Sequence, residues 1–152
     1  MKLIYVANIK LPTSKAHGTQ ILKMCEAFSL EGIDVELIVS KRGDVLGAHD
    51  IFSFYGIKER FKIKKIFCVD LLGVKFLGKF AFALQYLSFA LSVFFYALFS
   101  FKKFSKAEII YCRDEFSPKF LKIINKNIFL ELHSFVKRFG YLKNIFLKGQ
   151  VD

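Results

Sequence analysis

Tryptophan is absent from the 152 residues, and cysteine is scarce, with Cys25, Cys68 and Cys112 far apart. No CxxC pair and no histidine at metal-ligand spacing accompanies them, so the sequence carries no sign of a metal centre. Each cysteine lies in an apolar stretch. Buried free thiols are therefore expected, with no disulfide framework, as in a reducing cytosol. Acidic residues are also few: 13 Asp and Glu face 24 Lys and Arg, a net charge of +11. That balance favours anionic partners such as nucleic acid, anionic lipid or phosphorylated substrates. Base bias in the coding DNA is an alternative source of the Lys, Ile and Phe excess. The opening apolar run is too short for a signal peptide and has no small-residue cleavage site. There is no internal repeat or low-complexity linker. Neither GxGxxG nor the Walker A pattern occurs, so dinucleotide and P-loop readings lose support.

What is present is apolar: 54% of the chain, including 20 Phe. That is ample for one core in a chain the size of one domain, here residues 1–152. Strand and helix candidates alternate. Leu3 to Ala7 reads as a buried strand. A basic loop from Ile9 to His17 follows, and Gly18 opens a helix with Ile21, Met24, Cys25 and Phe28 at helical spacing. Glu31-Gly32 is a helix stop. Asp34 to Ser40 is a second strand, Lys41 to Asp50 a loop, and Ile51 to Ile57 is ambiguous. Ile63 to Val69 and Glu108 to Cys112 read as the third and fourth strands. Ser117-Pro118 reads as an N-cap with Pro at the first helical position, and Asn127 to Leu132 as a fifth strand. Ser134 starts a final helix candidate. This alternation predicts an α/β fold, a Rossmann-like parallel sheet with helices on both faces and ligands at the carboxyl ends of its strands.

One segment stands apart. From Phe80 to Phe101 there is no charged residue, and Lys79 and Lys102-Lys103 bracket it. Ala81, Gln85, Ser88 and Ser92 share one helical stripe, and the other faces are Phe and Leu. Three placements remain open at this level: a helix packed in the domain, a helix in a membrane interface with Lys79, Lys102 and Lys103 on headgroups, and a span.

Three blocks carry chemistry. A Gly at a helix N-terminus after a strand lets backbone N–H groups approach a phosphate, although most such glycines only make the turn. Tyr111-Cys112-Arg113-Asp114-Glu115 ends the fourth strand. There Arg113 can grip a phosphate or carboxylate bidentately, or pair with Asp114 or Glu115. Glu131-Leu132-His133 ends the fifth strand. By itself His133 is more often a capping or loop residue than a functional one. His49-Asp50 reads as solvated surface. The basic run of Lys58, Arg60, Lys62, Lys64 and Lys65, with Phe61 and Phe67 interleaved, fits a solvated strand edge, RNA or anionic lipid.

The run from Lys15 to Phe28, KAHGTQILKMCEAF, resembles the opening of the GT-B glycosyltransferases of family four. These transfer sugars from nucleotide donors with retention of configuration. The Arg-Asp and E-x-H strand ends occur in the family's order, and His17 stands where the family often has the first glycine of a pair. The resemblance implies one half of a GT-B fold, the acceptor-side domain, without the donor-binding domain and its paired glutamates. It implies a donor-phosphate loop at His17, Gly18 and Thr19, cleft-lining Arg113, Asp114 and Glu131, and a catalytic role for His133. It implies no cofactor and no metal, a nucleotide-sugar as substrate, and a glycan or lipid-linked acceptor in cell-surface polysaccharide synthesis. A chain holding only this half is expected to be inactive alone. The expected location is cytoplasmic, with a peripheral position on the inner membrane face left open. The readings from other classes are a non-catalytic membrane-surface module and a basic nucleic-acid-binding α/β domain.

Overall fold

The computed structural model describes residues 1–42, 50–70 and 78–132, with the side chains of Gly78 and Lys79 excepted. His49, His133 and the helix expected after Ser134 lie outside the described residues. Five parallel strands form one sheet in the order β3-β2-β1-β4-β5. They are β1 (Lys2–Ala7), β2 (Asp34–Lys41), β3 (Lys62–Phe67), β4 (Ile109–Cys112) and β5 (Ile128–Leu130). The helices are α1 (Ala16–Leu30), α2 (Ile51–Phe54), α3 (Gly78–Phe99), α4 (Phe101–Ser105) and α5 (Ser117–Leu121).

The central strands are apolar on both faces, and both faces are covered. Leu3, Tyr5 and Ala7 of β1 point to the side of Ile21, Leu22 and Cys25 on α1 and of Tyr55 and Ile57 after α2. Ile4 and Val6 point to the other side, against Phe89, Val93 and Ala97 of α3, Phe104 of α4 and Leu121 of α5. This is the two-sided α/β arrangement that the alternation predicts. The winding reverses between β1 and β4, so the carboxyl ends of those two strands flank the topological switch point, where open α/β sheets bind ligands.

Helix ends follow local chemistry. Gly32 takes a left-handed φ of 76° after α1, and the Ile33 N–H closes on the Phe28 carbonyl at 3.1 Å. Glycine reaches that conformation without the Cβ clash other residues meet. The ambiguous stretch from Ile51 is a short helix capped by Asp50, whose side chain accepts from the Phe52 N–H. At α5 the cap differs from expectation. Ser117 is the first helical residue, and its buried N–H donates to Asp114 Oδ1 at 2.7 Å. The Phe116 N–H donates to the same oxygen at 3.1 Å. One oxygen of Asp114 thus satisfies two backbone amides at the start of α5, and the Ser117 side chain does not cap the helix.

The long apolar segment folds as α3 with its small and polar stripe inward. Ala81, Gln85, Phe89, Ala90, Val93 and Ala97 are buried. Ser88 Oγ accepts from the Val69 N–H at 3.1 Å and donates to the Gln85 carbonyl at 2.9 Å, tying the helix to the chain leaving β3. Phe80, Leu84, Leu87, Leu91, Phe95 and Leu98 face outward and are exposed.

Candidate functional site

The residues past the ends of β4 and β5 stay in the sheet ladder. The Arg113 N–H donates to the Val6 carbonyl at 2.9 Å, and the Glu131 N–H to the Cys112 carbonyl at 2.8 Å. Continuing the register of Cys112 opposite Leu130 by one residue sets Arg113 beside Glu131. Their side chains meet on the α1 side, with Arg113 Nη1 3.8 Å from Glu131 Oε1 and both largely buried. Arg113 Nη2 donates to Gln20 Oε1 on α1 at 3.1 Å. The Tyr5 hydroxyl donates to Glu131 Oε2 at 2.9 Å, and the Tyr5 ring stands edge-on to Tyr111. One cluster therefore joins β1, α1, β4 and β5.

Its electrostatics follow from burial. Tyr5 sits well above the usual phenol range, first because it is buried and second because the Glu131 carboxylate resists a neighbouring phenolate. Tyr111 is raised for the same two reasons in the same order. Both phenols thus remain donors at neutral pH. Among the described residues the buried Arg113 Nη1 makes no hydrogen bond, and on the opposite sheet face at the end of β1 the buried Asn8 Nδ2 makes none either. By type these are donors that match a carboxylate, phosphate or hydroxyl oxygen, but each is buried on its own face of the sheet.

Asp114 is not part of this cluster. It points to the other side, is 3% exposed, and spends Oδ1 on the α5 cap. Burial raises its carboxyl above the usual carboxylate range. Of the two acids beside Arg113 in sequence, Asp114 turns to the other face and Glu115 is exposed; the guanidinium pairs instead with Glu131.

The first loop is built more tightly than an open phosphate cradle. The Gly18 N–H donates to the Lys15 carbonyl at 3.0 Å. A Cβ at Gly18 would lie 2.6 Å from Thr13 Cγ2 and 2.7 Å from the Tyr55 hydroxyl. Tyr55 is pinned there: its hydroxyl accepts from the Thr13 N–H and donates to the Thr13 carbonyl, both at 2.7 Å. The bare face of Gly18 is thus filled by the chain itself. His17 and Thr19 flank it on the first turn of α1.

The lysines proposed for lipid divide. Lys102 is exposed on α4. Lys103 is engaged, with Nζ 2.7 Å from the buried Glu36 Oε2 and 2.6 Å from the Tyr96 hydroxyl. The Lys79 side chain lies outside the described residues. In the basic run Arg60 pairs with Asp50 at 2.6 Å, Lys62 with Asp34 at 3.3 Å, and Lys64 lies over the Tyr96 ring, as on a solvated sheet edge.

No sequence motif marks Tyr5, Asn8 or Gln20 as part of this site. Asn8 had a signal, a polar residue closing an apolar strand; Tyr5 inside the strand had none. A groove lined by Gly32, Asp34, Arg60 and Lys62 lies at the amino ends of β2 and β3, away from this cluster. Among the described residues no group of three or more His, Cys, Asp or Glu is placed to hold a metal ion. No family model matches the chain, and no curated protein matches it.

Proposed function

We propose that this chain is the acceptor-side Rossmann-like domain of a retaining glycosyltransferase, working with a second domain that holds the nucleotide-sugar. What supports the reading is the meeting of its three quoted blocks. Gln20 from the first, Arg113 from the second and Glu131 from the third touch in one cluster at the carboxyl edge of the sheet. In this reading Arg113, held by Gln20 and Glu131, offers a fixed guanidinium to an acceptor or to the leaving diphosphate. Tyr5 and Glu131 set its orientation. The first turn of α1, with His17 and Thr19, faces the donor, and Gly18 shapes the loop that carries them. His133, following Leu132, borders the transferred sugar. The product is a glycan or lipid-linked saccharide, and the reaction uses no cofactor besides the nucleotide-sugar.

The test is transfer of labelled sugar from a panel of nucleotide donors to lipid or glycan extracts. The chain is assayed alone and together with the reading frame that follows it in the genome. Transfer is expected only from the pair. His133→Ala and Arg113→Lys in the active pair are each expected to lower turnover at least ~10-fold, ~1.4 kcal/mol of transition-state stabilisation. Thermal melts of the His133 variant should match the wild type. Turnover by the chain alone, or full turnover in both variants, overturns the reading.

A further inference from the structure

The outward face of α3 is as apolar as its inward face, and its polarity is reversed relative to a helix that covers a soluble core. Gln85 and Ser88 lie on the sheet side, while Phe80, Leu84, Leu87, Leu91, Phe95 and Leu98 form an exposed stripe at four- and three-residue spacing. Phe82, Phe99 and Phe101 widen it, and Phe99 is 90% exposed. By length and composition the helix could cross a bilayer, yet only 28% of its most apolar window is buried in the domain. An apolar face of this extent on a soluble chain marks a surface that something covers.

We propose that this face docks in the plane of an anionic lipid bilayer. Charge decides the occupant. From residue 71 to residue 107 there is no Asp or Glu, while Lys75, Lys79, Lys102, Lys103 and Lys106 stand toward the two ends. A second copy laid on this face, in either direction, brings lysines to lysines and offers no acid from that segment. Anionic headgroups supply the missing charge along the whole helix. The lysines that act are Lys102 and Lys106, both exposed. Lys103 is withdrawn to Glu36. Orientation follows from the inner face. Phe89, Ala90, Val93 and Ala97 are fully buried in the core, and the Tyr96 hydroxyl donates to Glu36 at 3.0 Å. A span would strip these contacts from the sheet, so the helix lies on the membrane. This inference does not depend on glycosyl transfer.

The experiment is co-sedimentation of the full chain with vesicles of phosphatidylglycerol and phosphatidylcholine in equal parts, and with phosphatidylcholine alone. Binding to the anionic vesicles is expected at low salt, weakened by high salt and removed by alkaline carbonate. The exposed triple variant Phe80→Gln, Phe95→Gln, Phe99→Gln should bind at least about tenfold more weakly with an unchanged circular dichroism melt. Lys102→Glu with Lys106→Glu should lower low-salt binding by about tenfold or more. Several results overturn the proposal. One is wild-type chain left in the supernatant with anionic vesicles at low salt. Another is binding that resists carbonate, the mark of a span. A third is a dimer that the Phe variant converts to monomer while vesicle binding is absent in both.

Discussion

Gly18 shows how one residue's role depends on what fills the space beside it. In an open helix, replacing Gly with Ala stabilises by up to about 1 kcal/mol through backbone entropy. Here the added methyl meets Thr13 Cγ2 and a Tyr55 hydroxyl held by two hydrogen bonds. Neither atom retreats without breaking the loop's own contacts. Gly18→Ala is therefore expected to destabilise by ~1–3 kcal/mol, as overpacking does. Thr13→Ala in the same chain should restore part of the loss, giving a non-additive cycle in urea melts. A higher melting temperature for Gly18→Ala would show that the loop yields and that the glycine serves something else.

Among the elements, α3 and α4 are fastened to the sheet by one charged contact. Lys103 reaches across to Glu36 on β2, and Tyr96 donates to the same carboxylate. Burial by itself lowers the Lys103 ammonium, but the Glu36 carboxylate and the Tyr96 hydroxyl outweigh it and hold it above the usual lysine range. The Glu36 side chain is only 7% exposed. Lys103→Ala would leave that carboxylate buried with one neutral donor. The expected cost is about 3 kcal/mol, the low end for removing one partner of a buried pair, because Lys103 keeps part of its side chain in water. Lys103→Met combined with Glu36→Gln should recover most of it. If Lys103→Ala melts like the wild type, water reaches Glu36 and the pair is a surface one.

For the whole molecule the alkaline limb of stability is the diagnostic. Tyr5, Tyr55, Tyr86 and Tyr111 are all raised, chiefly by burial. The folded chain holds these protons where the unfolded chain releases them, near pH ~10. The unfolded state then binds fewer protons, so stability falls as pH rises above that point. Lys103 acts in the same direction, since its ion pair is present below the ordinary lysine range and lost as pH rises through its raised folded value. Tyrosinate absorbance should therefore appear together with loss of the circular dichroism signal. Tyrosinate that forms in full before unfolding would mean that these phenols are reached by water.

Much of the architecture is set by the chain read in one dimension. β1 and β2 are apolar on consecutive residues, and such strands are satisfied only with both faces covered, so the parallel sheet and its two helical layers follow. Gly32 ends α1 because a left-handed residue is needed there. The Arg-Asp and Glu131-Leu132-His133 blocks follow strands in sequence because that is where the residue types stop being apolar. Partner choice belongs to the tertiary structure. Arg113 had two acids beside it in sequence, but pleating turns Asp114 to the far face, and register across the sheet supplies Glu131. Asp114 took the cap expected of Ser117 because it approaches from the preceding turn with an oxygen that two amides reach. The crowding of Gly18 comes from Tyr55, on another element. Which way α3 turns was also undecided by sequence, since its stripe of Ala81, Gln85, Ser88 and Ser92 suits a wet surface as well as a close-packed sheet. The close-packed sheet admits Ala81, Ala90 and Ala97 with the hydrogen-bonded Ser88 and the single large ring of Phe89, and leaves Phe80, Leu84, Leu87, Leu91, Phe95 and Leu98 outside.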